Sequence, residues 1–74
     1  MPFHIIVAGG ISMKDAEAIA GQLQAKGFSG ASALNTEGKV RVSIRSFANR
    51  NEATQFLLNL RKAENYQNAW LLAK

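Results

Sequence analysis

One pattern occurs twice in this chain, with the two copies 37 positions apart (40 − 3 and 49 − 12). In each copy an alternating apolar segment, at residues 3–7 and 40–44, is followed by a polar helix-start residue, Ser12 or Asn49. Apolar residues at helical spacing come next. Each half is therefore predicted to be a strand followed by a helix. Two such units, each burying one face, define a two-layer α+β domain and leave the other sheet face free.

The predicted element order is β-α-β-β-α-β. The strands are placed at residues 3–8, 28–34, 39–45 and 69–72, and the helices run from Ser12 to about Lys26 and from Asn49 to near Glu64. A hairpin turn with Gly38 in a left-handed conformation joins the second and third strands. Right-handed crossovers of this unit give a four-stranded antiparallel sheet in the order 4-1-3-2, with both helices on one face. This arrangement is a ferredoxin-like, or RNP-like, sandwich.

Strict alternation along the two central strands sorts their side chains into two sets. Those expected under the helices are Phe3, Ile5, Val7, Val40, Val42 and Ile44. Those expected on the open face are His4, Ile6, Ala8, Lys39, Arg41, Ser43 and Arg45. Trp70, on the last strand, is a candidate stacking platform for that face.

Length and charge place limits on the class of protein. The chain has 74 residues and a net charge of +4, scattered rather than clustered. It is expected to be one domain, residues 1–74, excised from a longer protein. No segment has the character of a membrane span or a signal peptide. The absence of cysteine excludes disulfides and thiolate metal sites.

The chain shows no pattern typical of catalysis, and no cofactor or metal is predicted. His4 is the only histidine, and the carboxylates form no acid/base pair. Gly9-Gly10 precedes a helix but lacks the further residues of a phosphate-binding loop. An open sheet with arginines, a hydroxyl and an aromatic ring is instead typical of a binding surface. It suits an extended polymer that has ring faces and many hydroxyl groups.

Several segments resemble the SPOR domain (sporulation-related repeat) family. They are residues 3–10, residues 41–47 with Asn51-Glu52-Ala53, and the closing Ala69-Trp70-Leu71-Leu72, which resembles versions from Bacteroidetes-like bacteria. The likeness covers nearly the whole chain. Two departures concern the Gly-Ser-Phe that the family usually shows: here the copies read Ala8-Gly9-Gly10 and Arg45-Ser46-Phe47. A third is Ile6, at a position where the family commonly has glutamine.

The resemblance implies a non-catalytic peptidoglycan-binding module that recognises glycan strands stripped of their stem peptides. It implies septal localisation in the bacterial periplasm or cell envelope, with any membrane anchor belonging to the parent protein. It implies no nucleic-acid partner, and the domain is expected to be a monomer or a weak dimer. The site residues carried over by position are His4, Ile6, Arg41, Ser43, Arg45 and Trp70.

Two other functions stay open at this point. One is a regulatory domain that binds a protein or a small ligand and dimerises through the weak strand at 28–34. The other is an RNA-binding module of the same layout, which would stack bases on aromatic residues of the two central strands. Those strands offer no outward aromatic residue, so the RNA-binding hypothesis is the less favoured of the two.

Overall fold

The computed structural model describes residues 1–74 and has the predicted α+β order. Its elements are β1 (Phe3–Gly9), α1 (Met13–Ala25), β2 (Ser32–Thr36), β3 (Lys39–Phe47), α2 (Arg50–Leu60) and β4 (Trp70–Ala73). The strands are antiparallel in the order β2-β3-β1-β4, which is the predicted order counted from the other edge. The fold prediction is therefore confirmed. Neither helix is long and apolar enough to cross a bilayer.

Both helices begin where the sequence predicts. The Ser12 side chain accepts a hydrogen bond from the Asp15 amide at 3.1 Å, and Asn49 accepts one from the Glu52 amide at 3.1 Å. Each cap satisfies an amide that has no partner inside its helix. The caps therefore fix the points at which the two crossovers enter their helices.

Two boundaries differ from the prediction by more than two residues. Strand β2 begins at Ser32 instead of residue 28, because residues 28–31 form a turn in which the Ala31 amide donates to the Phe28 carbonyl at 3.0 Å. Phe28 then packs against the core, with its ring edge-on to Tyr66 at 6.3 Å. Helix α2 ends at Leu60, and a short 3-10 turn, Glu64–Tyr66, precedes β4.

One hydrophobic core lies between the helices and the sheet. All six side chains predicted to lie under the helices belong to it or pack against it. The small residues Ala16, Ala20 and Ala53 are buried on the helices, so the helices can approach the sheet closely. The core members are Ile5, Ala16, Ala20, Leu23, Ala31, Val42, Ile44, Phe47, Ala53, Leu57, Leu60 and Ala69.

Two β-bulges interrupt the pairing of the central strands. In β3, Ile5 pairs with Arg45 and Ile6 with Ser43, so Ile44 is an extra residue. In β1, the register steps from Ile6 to Ala8 while the partner advances by one residue, so Val7 is extra. Each bulge shifts the alternation of side chains that follow it.

The bulge in β1 overturns one prediction. Ala8 was expected on the open face, but it pairs with the buried Val42 and packs against the core beside Val7. Strict alternation assigned it to the wrong face because the extra residue at Val7 was not anticipated. The open face of β1 is therefore continued by Gly9, which pairs with Arg41.

Candidate functional site

The open sheet face is the surface that neither helix covers. Directly paired residues of antiparallel strands lie on the same face, so the register determines its membership. Its side chains come from all four strands: Trp70 and Leu72 on β4, His4 and Ile6 on β1, Lys39, Arg41, Ser43 and Ser46 on β3, and Ser32, Leu34 and Thr36 on β2. We call this set the open face.

Arg45 does not belong to the open face, and the prediction that it points there is wrong. The guanidinium carbon of Arg45 lies 4.9 Å from the ring centre of Phe47 and 5.5 Å from that of Phe56 on α2. Because Ile44 is the extra residue of the bulge, Arg45 shares the helix side with its partner Ile5. Arg45 therefore caps the aromatic end of the core.

Trp70 and Arg41 contact each other across the open face. The guanidinium carbon of Arg41 lies 5.3 Å from the centre of the Trp70 ring, a cation–π contact. The two residues belong to β3 and β4, so their contact bridges the intervening strand β1. Trp70 keeps 39% of its surface exposed. No hydrogen bond within the chain uses the Arg41 guanidinium, which leaves its donors available to a ligand.

Ile6 and Ser43 form the floor beneath this bridge. They pair with each other across β1 and β3, and Ile6 also pairs with Trp70. Ile6 is only 1% exposed and Ser43 is fully buried, although no helix lies on this side. The predicted residues Ile6 and Ser43 are thus on the predicted face, but neighbouring side chains cover them.

The His4 side chain forms a hydrogen bond with Ser46, which was not among the predicted site residues. Its Nδ1 lies 2.6 Å from the Oγ of Ser46, its partner on β3. Burial is the main cause that lowers the pKa of His4, and the positive charges of the N-terminus and Lys74 lower it further. The imidazole is therefore biased toward its neutral form.

Ser46, Leu34 and Leu72 were not predicted as members of the open face. Strict alternation from Val42 and Ile44 would have placed Ser46 in the core. One signal was available, because the polar residue Ser46 and the apolar residue Phe47 break the apolar alternation of β3. Such a break is what an extra residue in the strand produces. No group of three metal-ligating side chains occurs anywhere in the chain.

The fold and this surface define a class: a small α+β domain with an open sheet suited to binding. The SPOR domain family model matches residues 2–73, nearly the whole chain. The chain belongs to the SPOR domain family, whose members are peptidoglycan-binding, septum-targeting modules. No curated protein and no solved structure gave a match.

Proposed function

We propose that this domain binds peptidoglycan glycan strands stripped of their stem peptides, through its open face and without catalysis. The observation that carries this proposal is the contact between the exposed Trp70 and the half-buried Arg41, which bridges the sheet on the side free of helices. A stripped strand is an extended chain of sugar rings with many hydroxyl groups. A broad sheet surface with a ring platform and free donors is complementary to such a chain.

Arg41 is the residue that would favour stripped strands over ordinary ones. Removing the stem peptide leaves a lactyl carboxylate on the sugar, and a guanidinium forms strong charge-assisted hydrogen bonds with carboxylates. The Trp70 contact holds this guanidinium above the sheet at 5.3 Å from the ring. Its position is therefore fixed before the ligand arrives, which lowers the entropic cost of binding.

The residues of the proposed site have two roles: some contact the glycan, and others support the contacting side chains. His4, Arg41 and Trp70 would contact the glycan, because each has exposed surface on the open face. Ile6 and Ser43 would hold those three in place from below, since both are almost completely buried. Arg45 has no part in the site.

The domain would determine where in the cell a longer protein is localised. We infer that the parent resides in the periplasm or cell envelope, carries any membrane anchor itself and is brought to the division septum where amidases expose stripped strands. The isolated domain would be monomeric or weakly dimeric.

Pull-down on purified sacculi, with and without prior amidase treatment, tests the proposal. The expected result is stronger binding to the amidase-treated sacculi. Trp70→Ala should weaken that binding by about 30-fold, since a central aromatic contact contributes roughly 2 kcal/mol. Leu58→Ala is the matched control, because Leu58 is 52% exposed but lies on α2. Equal binding to both sacculus preparations would contradict recognition of stripped strands.

A further inference from the structure

A chain of hydrogen bonds runs along the open face from β3 to His4. The Ser43 hydroxyl donates to the Arg45 carbonyl at 3.1 Å. The Ser43 and Ser46 hydroxyl oxygens are 3.3 Å apart, and Ser46 Oγ is 2.6 Å from His4 Nδ1. The bulge at Ile44 creates this chain, because it brings Ser46 to the same face as Ser43.

The direction of this chain follows from counting protons. Each hydroxyl has one proton to donate. A carbonyl can only accept, so the Ser43 proton points to Arg45. The single proton left between the two serines is that of Ser46, which must point to Ser43. Ser46 then faces His4 with a lone pair, and the bond at 2.6 Å requires a proton on Nδ1.

We propose that His4 presents its other ring nitrogen, Nε2, as a hydrogen-bond acceptor that recognises a sugar hydroxyl. This rests on the proposed glycan-binding function. No hydrogen bond within the chain uses Nε2, and the histidine is only partly buried. In a neutral imidazole protonated at Nδ1, Nε2 is an acceptor. The Arg41 guanidinium and the Trp70 indole can only donate, so His4 supplies the complementary group for a ligand whose hydroxyls do both.

The surroundings keep His4 neutral. Its neighbours across the sheet, Ser46 on β3 and Leu72 on β4, carry no charge. The charged groups that act on it are the N-terminal amine and Lys74, both positive, and they lower its pKa together with burial. A ligand hydroxyl is therefore favoured at Nε2 over a ligand carboxylate, which would require the protonated ring.

The free protein provides the first test. The ¹⁵N and ¹H spectrum of the His4 imidazole, recorded above its pKa, identifies which nitrogen carries the proton. We expect the proton on Nδ1 in the wild type. In Ser46→Ala we expect it on Nε2, the form that a free histidine side chain favours in water. A proton on Nε2 in the wild type would overturn the inference, whether or not the protein binds glycan.

The second test follows the His4 pKa during binding. The probes are soluble glycan strands released by amidase treatment and an N-acetylglucosamine oligomer that lacks lactyl groups. A hydroxyl bonded to the neutral ring disfavours protonation, so the N-acetylglucosamine oligomer should lower the pKa of His4. The stripped strands should lower it less, because their lactyl carboxylates favour the charged ring. Affinity should fall roughly 2- to 10-fold as His4 becomes protonated, which corresponds to one hydrogen bond. His4→Phe should bind more weakly and lose that pH dependence.

The outcomes separate the two proposals. If the strands bind but saturation with the N-acetylglucosamine oligomer raises the His4 pKa or leaves it constant, the hydroxyl acceptor is overturned and the glycan function stands. If the wild type binds neither stripped sacculi nor soluble strands, both proposals fail.

Discussion

Arg41 and Arg45 provide the sharpest test of how this sheet is built. They have the same side chain, lie four positions apart on one strand and share a face under strict alternation. The structure places them on opposite faces, because the bulge at Ile44 intervenes. Arg41 contacts Trp70 on the open face, whereas Arg45 lies over Phe47 and Phe56 on the helix side. The two alanine variants should therefore fail in different assays.

Arg41→Ala should weaken binding to stripped glycan strands by roughly 10- to 150-fold. A hydrogen bond from a charged donor contributes about 1.5–3 kcal/mol, and Arg41 has no partner inside the chain to compete for its donors. The effect on stability should be small, since an exposed cation–π contact contributes about 0.5–1 kcal/mol. Isothermal titration calorimetry with soluble strands measures the affinity, and thermal unfolding measures the stability.

Arg45→Ala should show the reverse pattern. Its affinity should match that of the wild type, while the free energy of unfolding should fall by about 1 kcal/mol from the loss of contacts at 4.9 and 5.5 Å. For a domain of this size that lowers Tm by roughly 4–8 °C. Equal losses of affinity in the two variants would refute the assignment of Arg45 to the helix side. A loss confined to Arg45→Ala would refute the open face as the binding surface.

Three further predictions concern the stability of the fold, each measured by thermal or urea unfolding. Asn49→Ala removes the cap of α2 and should cost about 1 kcal/mol; an unchanged Tm would show that the bond to Glu52 contributes nothing. Gly38→Ala should cost roughly 1–3 kcal/mol because φ is 80° there, whereas Gly21→Ala, in α1, should stabilise. Because folding lowers the pKa of His4, the unfolded state binds more protons below pH 6.5, so stability should decrease as pH falls from that value; His4→Phe should lack this dependence.

The fold was predictable because it rests on patterns that repeat. The strand and helix signatures at an offset of 37 positions specify two equivalent units, and the caps at Ser12 and Asn49 specify where the helices begin. Hydrophobic periodicity then assigns the core. Residue patterns also predict a strand that begins at Phe28, and this prediction is wrong because β2 begins at Ser32. The Phe28 ring packs against Tyr66, a long-range contact that no local pattern indicates.

The composition of the open face was only partly predictable. Alternation placed His4, Ile6, Arg41 and Ser43 on the correct face. Each of them precedes the extra residue of its own strand, which is Val7 in β1 and Ile44 in β3. It failed for Arg45, Ser46 and Ala8, which follow the bulges. A bulge depends on pairing between distant strands, and one extra residue reverses the face of everything beyond it. Alternation also could not predict that Ile6 and Ser43 are buried, because their burial depends on which neighbouring side chains lie over them.

Mapping the glycan on the protein by NMR tests the central claim most directly. Soluble strands released by amidase should be titrated into the ¹⁵N-labelled domain, and shifts of the backbone amides and of the Trp70 indole followed. Binding through the open face should produce large changes at the indole and along β1, β3 and β4, with little change on the outer surfaces of α1 and α2. Changes concentrated on the helices, with the Trp70 indole unaffected, would contradict binding through the open face.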